Sequence, residues 1–390
     1  ADPLIGITVN GTLIANGTDA DPITFTSNEL TPAAGDWKGI SFGITAAGSI
    51  IDNCILEYPR IGVNVSWTSI TGAELCPVSV TNSTFQNISY VGVSFAGHDE
   101  GSATPRLYYP VTGIDVTNND FIDVGRSGAG ANPMAIFTRS VKDVNISGNL
   151  IRRGEGTYLA YLGVAFENYT FADNTIEDPG YQQGVYISTT DGDPQILRNK
   201  FIGTATAANF RCISTYGHSG LTIKNNEFYT GSSGIYIGGF VNSPDVVEVL
   251  IEGNLFNRVG TGTSDSYAIV DDSLWNTPRP PSEGWNVRSW VRDGVIRGNV
   301  IKNTSGVAIS IPRGSYTYPD YGTVDLGDVL IEGNVIENNR VGIQVGLTGS
   351  GDAARYGIEG IEAHFNEIVG NEIGVKNISM SEDVFDATNN

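Results

Sequence analysis

The chain has 390 residues, a formal net charge of −21 and 49 glycines. The negative charge argues against a nucleic-acid partner, because phosphate groups require a basic surface. No apolar run reaches the roughly 18 residues that a membrane-spanning helix needs, so we expect no membrane insertion. Frequent Gly, Asn, Val and Ile, without a long amphipathic helical pattern, are typical of strands and turns. The composition therefore predicts an all-β protein.

A short motif recurs along the chain, mostly at spacings of 25 to 36 residues with one of 45. Two or three alternating apolar residues lead to an Asn, any residue, and then Ile or Phe. Ser83 takes the Asn place in one copy. A fixed signature at this period indicates a repeat architecture. In chain order the copies are DNCI (52–55), NNDF (118–121), GNLI (148–151), DNTI (173–176), RNKF (198–201), NNEF (225–228), GNLF (253–256), GNVI (298–301), GNVI (333–336) and FNEI (364–367).

Each repeat contains three short strands separated by turns, as in VLIE, VIEN and VGIQV within residues 329–345. Such short strands can wind into a coil, and stacked coils pair each strand with its copy about 4.8 Å away. The pattern predicts one domain over residues 1–390, a single-stranded right-handed parallel β-helix of about twelve coils. The Asn would mark a corner, where it tolerates the left-handed conformation and bonds the next Asn in the stack.

These repeats resemble the right-handed parallel β-helix superfamily of pectin-lyase-like folds, especially secreted and cell-surface β-helix proteins of archaea and bacteria. Residues 11–43 resemble a first coil, which predicts an N-terminal capping coil over residues 1–43. The segment VFDATNN (384–390) resembles a last coil cut short, so we expect further domains after residue 390. The superfamily includes polysaccharide lyases, glycoside hydrolases, epimerases, phage tailspikes and adhesins, so the resemblance specifies the fold more closely than the function.

Cysteines and glycosylation motifs bear on the compartment. Cys54, Cys76 and Cys212 form no CxxC pair, and we interpret them as mostly buried thiols rather than a Cys54–Cys76 disulfide. The chain does not begin with Met, which agrees with removal of a secretion signal. We predict a secreted or cell-surface protein. Nine Asn-x-Ser/Thr motifs fit this location: those at Asn10, Asn16, Asn64, Asn82, Asn87, Asn145, Asn168, Asn303 and Asn377.

The resemblance implies a substrate groove along the strand that follows the second corner, walled by the loops after it. Alternation turns one set of residues on this strand outward. Side chains capable of chemistry gather on its central copies. We predict this strand at GVNVSW (62–67), GVSFAG (92–97), AIFTRS (135–140), GVAFEN (163–168), GVYIST (184–189), RCISTY (211–216), GIYIGG (234–239), AIVDDS (268–273), VAISIP (307–312) and GIQVGL (342–347).

One hypothesis is a polysaccharide lyase acting on a uronate-containing, chondroitin-like or pectin-like cell-coat polymer. Such β-elimination needs a cation for the carboxylate, a base and an acid. Arg139 or Arg211 could neutralise the carboxylate. Tyr216, Tyr236 or His218 could carry protons. The alternative for His218 is a surface turn.

A glycoside hydrolase would instead use two carboxylates, and Glu167 and Asp271 are the candidates. Asp271 and Asp272 directly follow an apolar strand, where they could also hold Ca²⁺, bind substrate or form a solvated turn. No other cofactor and no further metal ligands are predicted. The segments TTDG (189–192) and GHSG (217–220) resemble parts of polygalacturonase motifs. The other motifs of that family are missing, so we reject a close match.

Aromatic residues supply the remaining substrate-binding candidates. Long connections at 98–110, 274–293 and 312–328 are rich in Tyr and Trp, which suits sugar stacking. The alternative is that these rings only cover the side of the coils. The candidates are Tyr108, Tyr186, Trp275 and Trp285.

A non-catalytic glycan-binding adhesin is the competing function. The acidic charge and the glycosylation motifs suit it. An enzyme should gather its ionisable groups in one cluster, whereas an adhesin should scatter them. The sequence favours the enzyme, with a polysaccharide as the partner.

Overall fold

The computed structural model describes most of the 390 residues. The described residues are 5–67, 72, 74–100, 107–125, 133–163, 167–177, 180–190, 192–203, 210–218, 220–231, 233–238, 248–259, 266–272, 293–311, 316–318, 322–324, 328–346, 360–378 and 385–390. Their regular structure is β-strand, and these ranges contain no helix that could cross a membrane. The all-β prediction is confirmed.

The chain forms two compact units, Ala1–Tyr186 (unit 1) and Ile187–Asn390 (unit 2). In chain order the strands that begin in unit 1 are β1 (Ile7–Val9), β2 (Ile14–Asn16), β3 (Ile23–Phe25), β4 (Ile40–Phe42), β5 (Ser49–Asp52), β6 (Cys54–Glu57), β7 (Ile61–Ser66), β8 (Glu74–Leu75), β9 (Val78–Thr81), β10 (Thr84–Ile88), β11 (Val91–Ala96), β12 (His98–Glu100), β13 (Leu107–Tyr109), β14 (Val111–Thr117), β15 (Asp120–Val124), β16 (Met134–Arg139), β17 (Val141–Ser147), β18 (Leu150–Arg152), β19 (Glu155–Gly163), β20 (Tyr169–Ala172), β21 (Thr175–Glu177) and β22 (Gly180–Thr190).

Three parallel sheets make up unit 1. Sheet 1 has the order β1-β4-β7-β11-β16-β19-β22, sheet 2 the order β2-β5-β9-β14-β17-β20, and sheet 3 the order β3-β6-β10-β15-β18-β21. Along the chain, successive strands enter sheets 1, 2 and 3 in turn, and each circuit adds one strand to each sheet. This topology is a parallel β-helix. Strand β8 pairs with β14, and β12 and β13 form an antiparallel hairpin.

Unit 2 repeats the arrangement. Its strands in sheet 1 are β25, β28, β31, β34, β39 and β42; in sheet 2 they are β23, β26, β29, β32, β37 and β40; in sheet 3 they are β24, β27, β30, β33, β38 and β41. Strands β35 and β36 pair antiparallel. The bounds are β23 (Gln195–Leu197), β24 (Lys200–Ile202), β25 (Arg211–His218), β26 (Leu221–Lys224), β27 (Glu227–Gly231), β28 (Ser233–Gly238), β29 (Val249–Glu252), β30 (Leu255–Val259), β31 (Tyr267–Asp272), β32 (Gly294–Arg297), β33 (Val300–Lys302), β34 (Val307–Ile311), β35 (Tyr316–Tyr318), β36 (Gly322–Val324), β37 (Val329–Glu332), β38 (Val335–Glu337), β39 (Val341–Val345), β40 (Ile361–His364), β41 (Glu367–Val369) and β42 (Ile373–Asn377).

The interior of each unit is built from side chains that repeat at the same register. In unit 1, Val93 pairs with Val63 on one side and Ile136 on the other, and all three are fully buried. Aromatic rings stack in the same way, with the rings of Phe85 and Phe121 5.0 Å apart. Unit 2 has a longer ring stack, which consists of Phe201, Phe228 and Phe256 at 5.1 and 4.5 Å.

The recurring Asn forms a buried hydrogen-bonded ladder. The Oδ1 atom of Asn149 accepts from the backbone N–H of Asn119 at 2.9 Å and from its Nδ2 at 3.1 Å. The Nδ2 of Asn119 also donates to the carbonyl of Val80. Ser83 continues the ladder, because its Oγ accepts from the backbone N–H of Cys54. Equivalent bonds in unit 2 join Asn226, Asn254, Asn299, Asn334, Asn366 and Asn390.

The left-handed conformation belongs to the residue before each ladder Asn rather than to the Asn itself. Asn118, which precedes Asn119, has a φ of 57°, and Gly148, which precedes Asn149, has a φ of 68°. Asp173 has a φ of 57°. The expectation that the Asn takes this conformation is therefore wrong for the ladder Asn residues, whereas Asn53 of the DNCI copy does take it, with a φ of 48°. The preceding residue turns the chain so that the Asn side chain points inward to the next rung.

The cysteines are free thiols, as the sequence predicts. Cys54 and Cys212 are buried and Cys76 is half-buried. Burial raises the pKa of the Cys212 thiol and raises that of Cys76 to about 12. These thiols are therefore protonated at neutral pH and pack as small apolar side chains.

Candidate functional site

The outward face of sheet 1 in unit 2 carries several of the candidate residues on three neighbouring strands. Across β25, β28 and β31, Ser214 pairs with Tyr236, and Tyr236 pairs with Val270. Two residues further along, Tyr216 pairs with Gly238, and Gly238 pairs with Asp272. Since alternate residues share a face, these two rows lie on one side. The backbone therefore places Tyr216 and Asp272 on either side of a glycine.

The best-defined contact on this face joins Arg211 and Tyr236. The guanidinium carbon of Arg211 lies 4.2 Å from the centroid of the Tyr236 ring. Tyr236 is only 6% exposed, so this cation–π contact is largely shielded from water. The N–H donors of a guanidinium form a planar fork, which can bind a carboxylate by two parallel hydrogen bonds.

Ser214 is a feature of this face that the sequence analysis missed. Its side chain is fully buried, and its Oγ makes no hydrogen bond to the described part of the chain. A buried hydroxyl without a partner costs stability unless something else uses it. The alternation in RCISTY could have identified this position, because Ser214 lies between two inward-facing residues, Ile213 and Thr215.

Three further candidates are placed by the backbone alone. His218 is the last residue of β25, two positions beyond Tyr216. Asp271 pairs with Ile237, whose side chain is buried, so Asp271 occupies a register position of the interior row. Asp272 occupies the outward row. Of the predicted set, Arg211, Tyr216, Tyr236, His218 and Asp272 therefore share three adjacent strands.

The same sheet in unit 1 carries a stack of aromatic rings. Phe137 lies 5.4 Å from Tyr161, and Tyr161 lies 5.4 Å from Tyr186, with ring planes 22° and 17° apart. Tyr158 contacts Tyr161 and Tyr186 from the side at 5.8 and 4.5 Å. Tyr186 is only 8% exposed. Because the rings cover one another's faces, little ring surface is left for a sugar to stack on.

Arg139 and Glu167 occupy different positions in the coils of unit 1. Arg139 is half-buried at the end of β16, in register with Ala96 and Gly163 on its two neighbours. The prediction that Glu167 stands on the outward face of sheet 1 is wrong. The strand of this coil is β19, which ends at Gly163, and Glu167 precedes β20 in sheet 2. There it is exposed and forms an ion pair with Lys142.

The misplacement of Glu167 has a simple cause. The sequence offers two apolar segments in this coil, TYLAYLG and GVAF, and both alternate. The structure uses the first one, because Ala160 and Leu162 then align with the buried Ile136 and Thr138. The pattern in TYLAYLG was the signal for Tyr158 and Tyr161, which the sequence analysis also missed.

The predicted aromatic walls are described only in part. Tyr108 lies on β13 opposite Asp99, in the hairpin that follows β11. Beside it, the rings of His98 and Tyr109 stack at 5.8 Å. Trp275 and Trp285 lie outside the described residues.

A family model and several solved structures are similar to this chain. Residues 103–289, a little under half of the chain, match the family model described as periplasmic copper-binding protein (NosD). No curated protein matches the chain. Solved structures that match include catalytic domains of GH87 α-1,3-glucanase variants. One, in complex with tetrasaccharides, is 11% identical with a TM-score of 0.34, and covers 97% of this chain. Another, with nigerose, is 14% identical with a TM-score of 0.37, and covers 96%. This chain spans 61% of each of these structures.

The family description names copper, and the described residues do not fit it. Among them, no three His, Cys, Asp or Glu side chains lie close enough together to hold a metal ion. Within residues 103–289 the only cysteine is Cys212, which is buried and whose pKa is raised, so it is unsuited to act as a thiolate ligand. No step below uses copper.

The strand pairing identifies the fold independently of these similar proteins. Three parallel sheets, strands that enter them in a fixed order, and in-register interior residues occur in unit 1 and again in unit 2. The family match overlaps both units. The chain is a parallel β-helix protein, which is the fold of the pectin-lyase-like superfamily that its repeats resemble.

Proposed function

We propose that this protein is a secreted polysaccharide lyase that cleaves a uronate-containing cell-coat polymer by β-elimination. The observation that carries the proposal is the Arg211 guanidinium, which lies 4.2 Å over the Tyr236 ring on the outward face of unit 2. A uronate carboxylate bound at the guanidinium edge would have its charge neutralised, which makes the neighbouring C5 proton more acidic.

The remaining steps require a base and an acid close to Arg211. Tyr216, His218 and Tyr236 are the available groups on β25 and β28. One removes the C5 proton, the C4–O bond breaks, and a C4–C5 double bond forms. The leaving oxygen takes a proton from a second group or from water.

A hydrolase is less well supported. Hydrolysis needs two carboxyl groups facing one glycosidic bond at roughly 5–10 Å. Glu167, one of the two predicted carboxylates, precedes the sheet 2 strand β20 of unit 1 and forms an ion pair with Lys142. Asp271 occupies an interior register position. The candidate pair therefore loses the placement on which it was based.

A non-catalytic glycan-binding module is the second candidate, and one observation favours it. The ionisable groups of the described residues are spread over both units, with Arg139 in unit 1 and Arg211 in unit 2. Such a module would bind polymer through these groups without cleaving it. Under either function we expect the protein outside the cell, as one β-helix domain over residues 1–390.

The deciding experiment is incubation of the purified chain with chondroitin-like and pectin-like polymers, with Ca²⁺ and with chelator. Unsaturated uronate is followed by its ultraviolet absorbance, and reducing ends are measured in parallel. We expect both signals to rise together. Reducing ends without absorbance would mean hydrolysis. Retention of polymer on immobilised protein with neither signal would establish the binding module instead.

A further inference from the structure

The nine glycosylation motifs differ sharply in their structural setting. In six of them the middle residue is a core side chain no more than 2% exposed: Val65, Ser83, Ile88, Ile146, Tyr169 and Thr304. A transferase has to bend the acceptor segment into its own active site. A motif whose central residue is packed in the core can reach it only after the coil opens locally.

Several of these interior motifs also use the acceptor nitrogen itself. The Nδ2 of Asn82 donates to Asp52 and that of Asn168 donates to Asp143, each one coil earlier. The Nδ2 of Asn145 donates to Asp115 at 3.0 Å. These amides therefore serve as links between coils, and their Asn-x-Ser/Thr spacing is a by-product of the repeat.

The turn between β1 and β2 is different. Asn10, Gly11 and Thr12 are exposed, and the space around Gly11 is open within 4 Å. The side-chain Nδ2 of Asn10 makes no hydrogen bond to the described residues. The backbone carbonyl of Asn10 accepts a hydrogen bond from Thr45 Oγ1 at 2.6 Å. Thr12 Oγ1 donates to the carbonyl of Ala47, so its lone pairs are left to accept a hydrogen bond.

We infer that Asn10 is an N-glycosylation site of the folded protein. Its Nδ2 would form a bond to the anomeric carbon of a lipid-linked oligosaccharide, and the bond from that carbon to the lipid phosphate would break. The amide loses one proton, and the lipid phosphate leaves. The donor and an oligosaccharyltransferase of the export route are the co-reactants.

The position also gives the glycan a physical role. Strands β1 and β2 are edge strands of unit 1, and Ile7 and Ile14 on them are 40% and 57% exposed. Exposed apolar edge strands promote association with other chains, and proteins commonly cover them. A hydrated glycan on the turn that joins β1 to β2 would shield both edges.

The chain contains its own matched control. Asn16-Gly17-Thr18 has the same three residue types as Asn10-Gly11-Thr12. It lies at the end of β2, where the N–H of Gly17 donates to the carbonyl of Asp52 at 2.9 Å. A Cβ at Gly17 would overlap the backbone oxygen of Asn53, whereas one at Gly11 would meet nothing. We therefore expect the two identical triplets to differ in reactivity.

The test is transfer in vitro to the folded full chain by an oligosaccharyltransferase with a lipid-linked oligosaccharide donor, mapped by peptide mass spectrometry. A urea-unfolded sample shows which motifs the transferase accepts as sequence. In the folded chain we expect Asn10 to react at least about tenfold faster than Asn16, Asn145 and Asn168, which need local opening. Thr12→Ala should abolish the reaction, and Thr12→Ser should preserve it.

The inference is overturned if Asn10 reacts only in the unfolded chain, or if Asn145 and Asn168 keep pace with it in the folded chain. If Asn10 is not accepted even in urea, the motif is not a site for this chemistry and the inference also fails. None of these results depends on polymer cleavage, so the outcome is independent of the proposed lyase activity.

Discussion

The outward faces of sheet 1 in the two units use aromatic residues in opposite ways. In unit 1, Phe137, Tyr161 and Tyr186 stack on one another at 5.4 Å intervals. In unit 2, the guanidinium carbon of Arg211 lies 4.2 Å from the centroid of the Tyr236 ring. Both faces bury rings, and on the second a guanidinium lies against the buried ring. The unit 1 rings therefore pack on one another, and the unit 2 face carries the guanidinium on which the proposed lyase activity depends.

Glycine contributes to the same contrast. Gly238 lies between Tyr216 and Asp272 in the register of unit 2. The corresponding glycine of unit 1, Gly163, is covered, because a Cβ there would overlap the ring of Tyr161. A glycine in a strand weakens packing and often marks a place where another molecule approaches the backbone. In unit 1 that space is filled by the protein itself.

The largest expected effect comes from removing the cation of unit 2. Arg211→Ala should lower kcat/KM on the uronate polymer by about 100-fold or more, because the carboxylate charge is no longer neutralised. Arg211→Lys should recover only part of the loss, since an ammonium cannot lie flat on Tyr236 and bind a carboxylate by two parallel hydrogen bonds. Initial rates of unsaturated product formation measure both variants.

Arg60 provides the matched control. Its guanidinium lies 5.7 Å from the ring centroid of Tyr90 in unit 1, which is the same type of contact away from the proposed site. Arg60→Ala should change kcat/KM by less than about twofold, as is usual for an exposed substitution. An equal loss in both variants would mean that Arg211 acts through general stability, and the contrast between the units would fail.

A second test concerns the ladder that both units share. Asn226→Ala in unit 2 and Asn119→Ala in unit 1 each remove a buried side-chain acceptor and donor, and each should cost roughly 2 kcal/mol of unfolding free energy. Asn119→Ser should cost less, because Ser83 already forms a working rung through its Oγ. Chemical denaturation measures all three variants. Ser and Ala variants of equal stability would contradict the ladder's role.

Much of the fold could be predicted from the sequence, because each coil repeats the same physical demands. An inward apolar row, a turn and a buried amide recur at one period, and one error in one coil leaves the others correct. The register failed only where two alternating segments competed, at TYLAYLG and GVAF. The choice between them depends on packing against Ile136 and Thr138, which are distant in sequence.

The site was less predictable for a related reason. Candidates were chosen by residue type on a predicted strand, so Arg211 and Tyr236 were identified but their contact was not. Which ring stacks on which depends on side-chain direction across neighbouring coils. Glu167 shows the limit of choosing candidates by residue type. The sheet 1 strand of its coil ends at Gly163, so Glu167 lies after that strand and before the sheet 2 strand β20. Asn10 shows another, because only its surroundings separate it from Asn16.

The aromatic stack of unit 1 gives a third, smaller effect. Tyr161→Leu should cost about 1 kcal/mol of unfolding free energy, because two stacked contacts are lost while much of the apolar burial is kept. Thermal denaturation measures this loss. The rate on polymer should be unchanged. A large fall in kcat/KM without loss of stability would place the chemistry in unit 1 and reverse the contrast.

The smallest expected effect is a difference between the two units in how local stability depends on pH. In unit 1, hydrogen bonds from Thr81 and then Asn82 and Asn53 lower the pKa of Asp52 below its usual 3.8, against the opposing effect of burial. Its contribution is therefore present above pH 3.8 and is lost as the pH falls below that value. In unit 2, the Thr388 carbonyl and then Glu362 raise the pKa of His364 above 6.5. That contribution is present below pH 6.5 and is lost as the pH rises through the higher folded pKa.

Amide hydrogen exchange, corrected for the intrinsic pH dependence, should show residues 386–390 opening on the alkaline side and residues 81–82 on the acid side. His364→Gln should remove the alkaline response alone. If both regions opened together at either extreme, these groups would report global unfolding rather than local links in each unit.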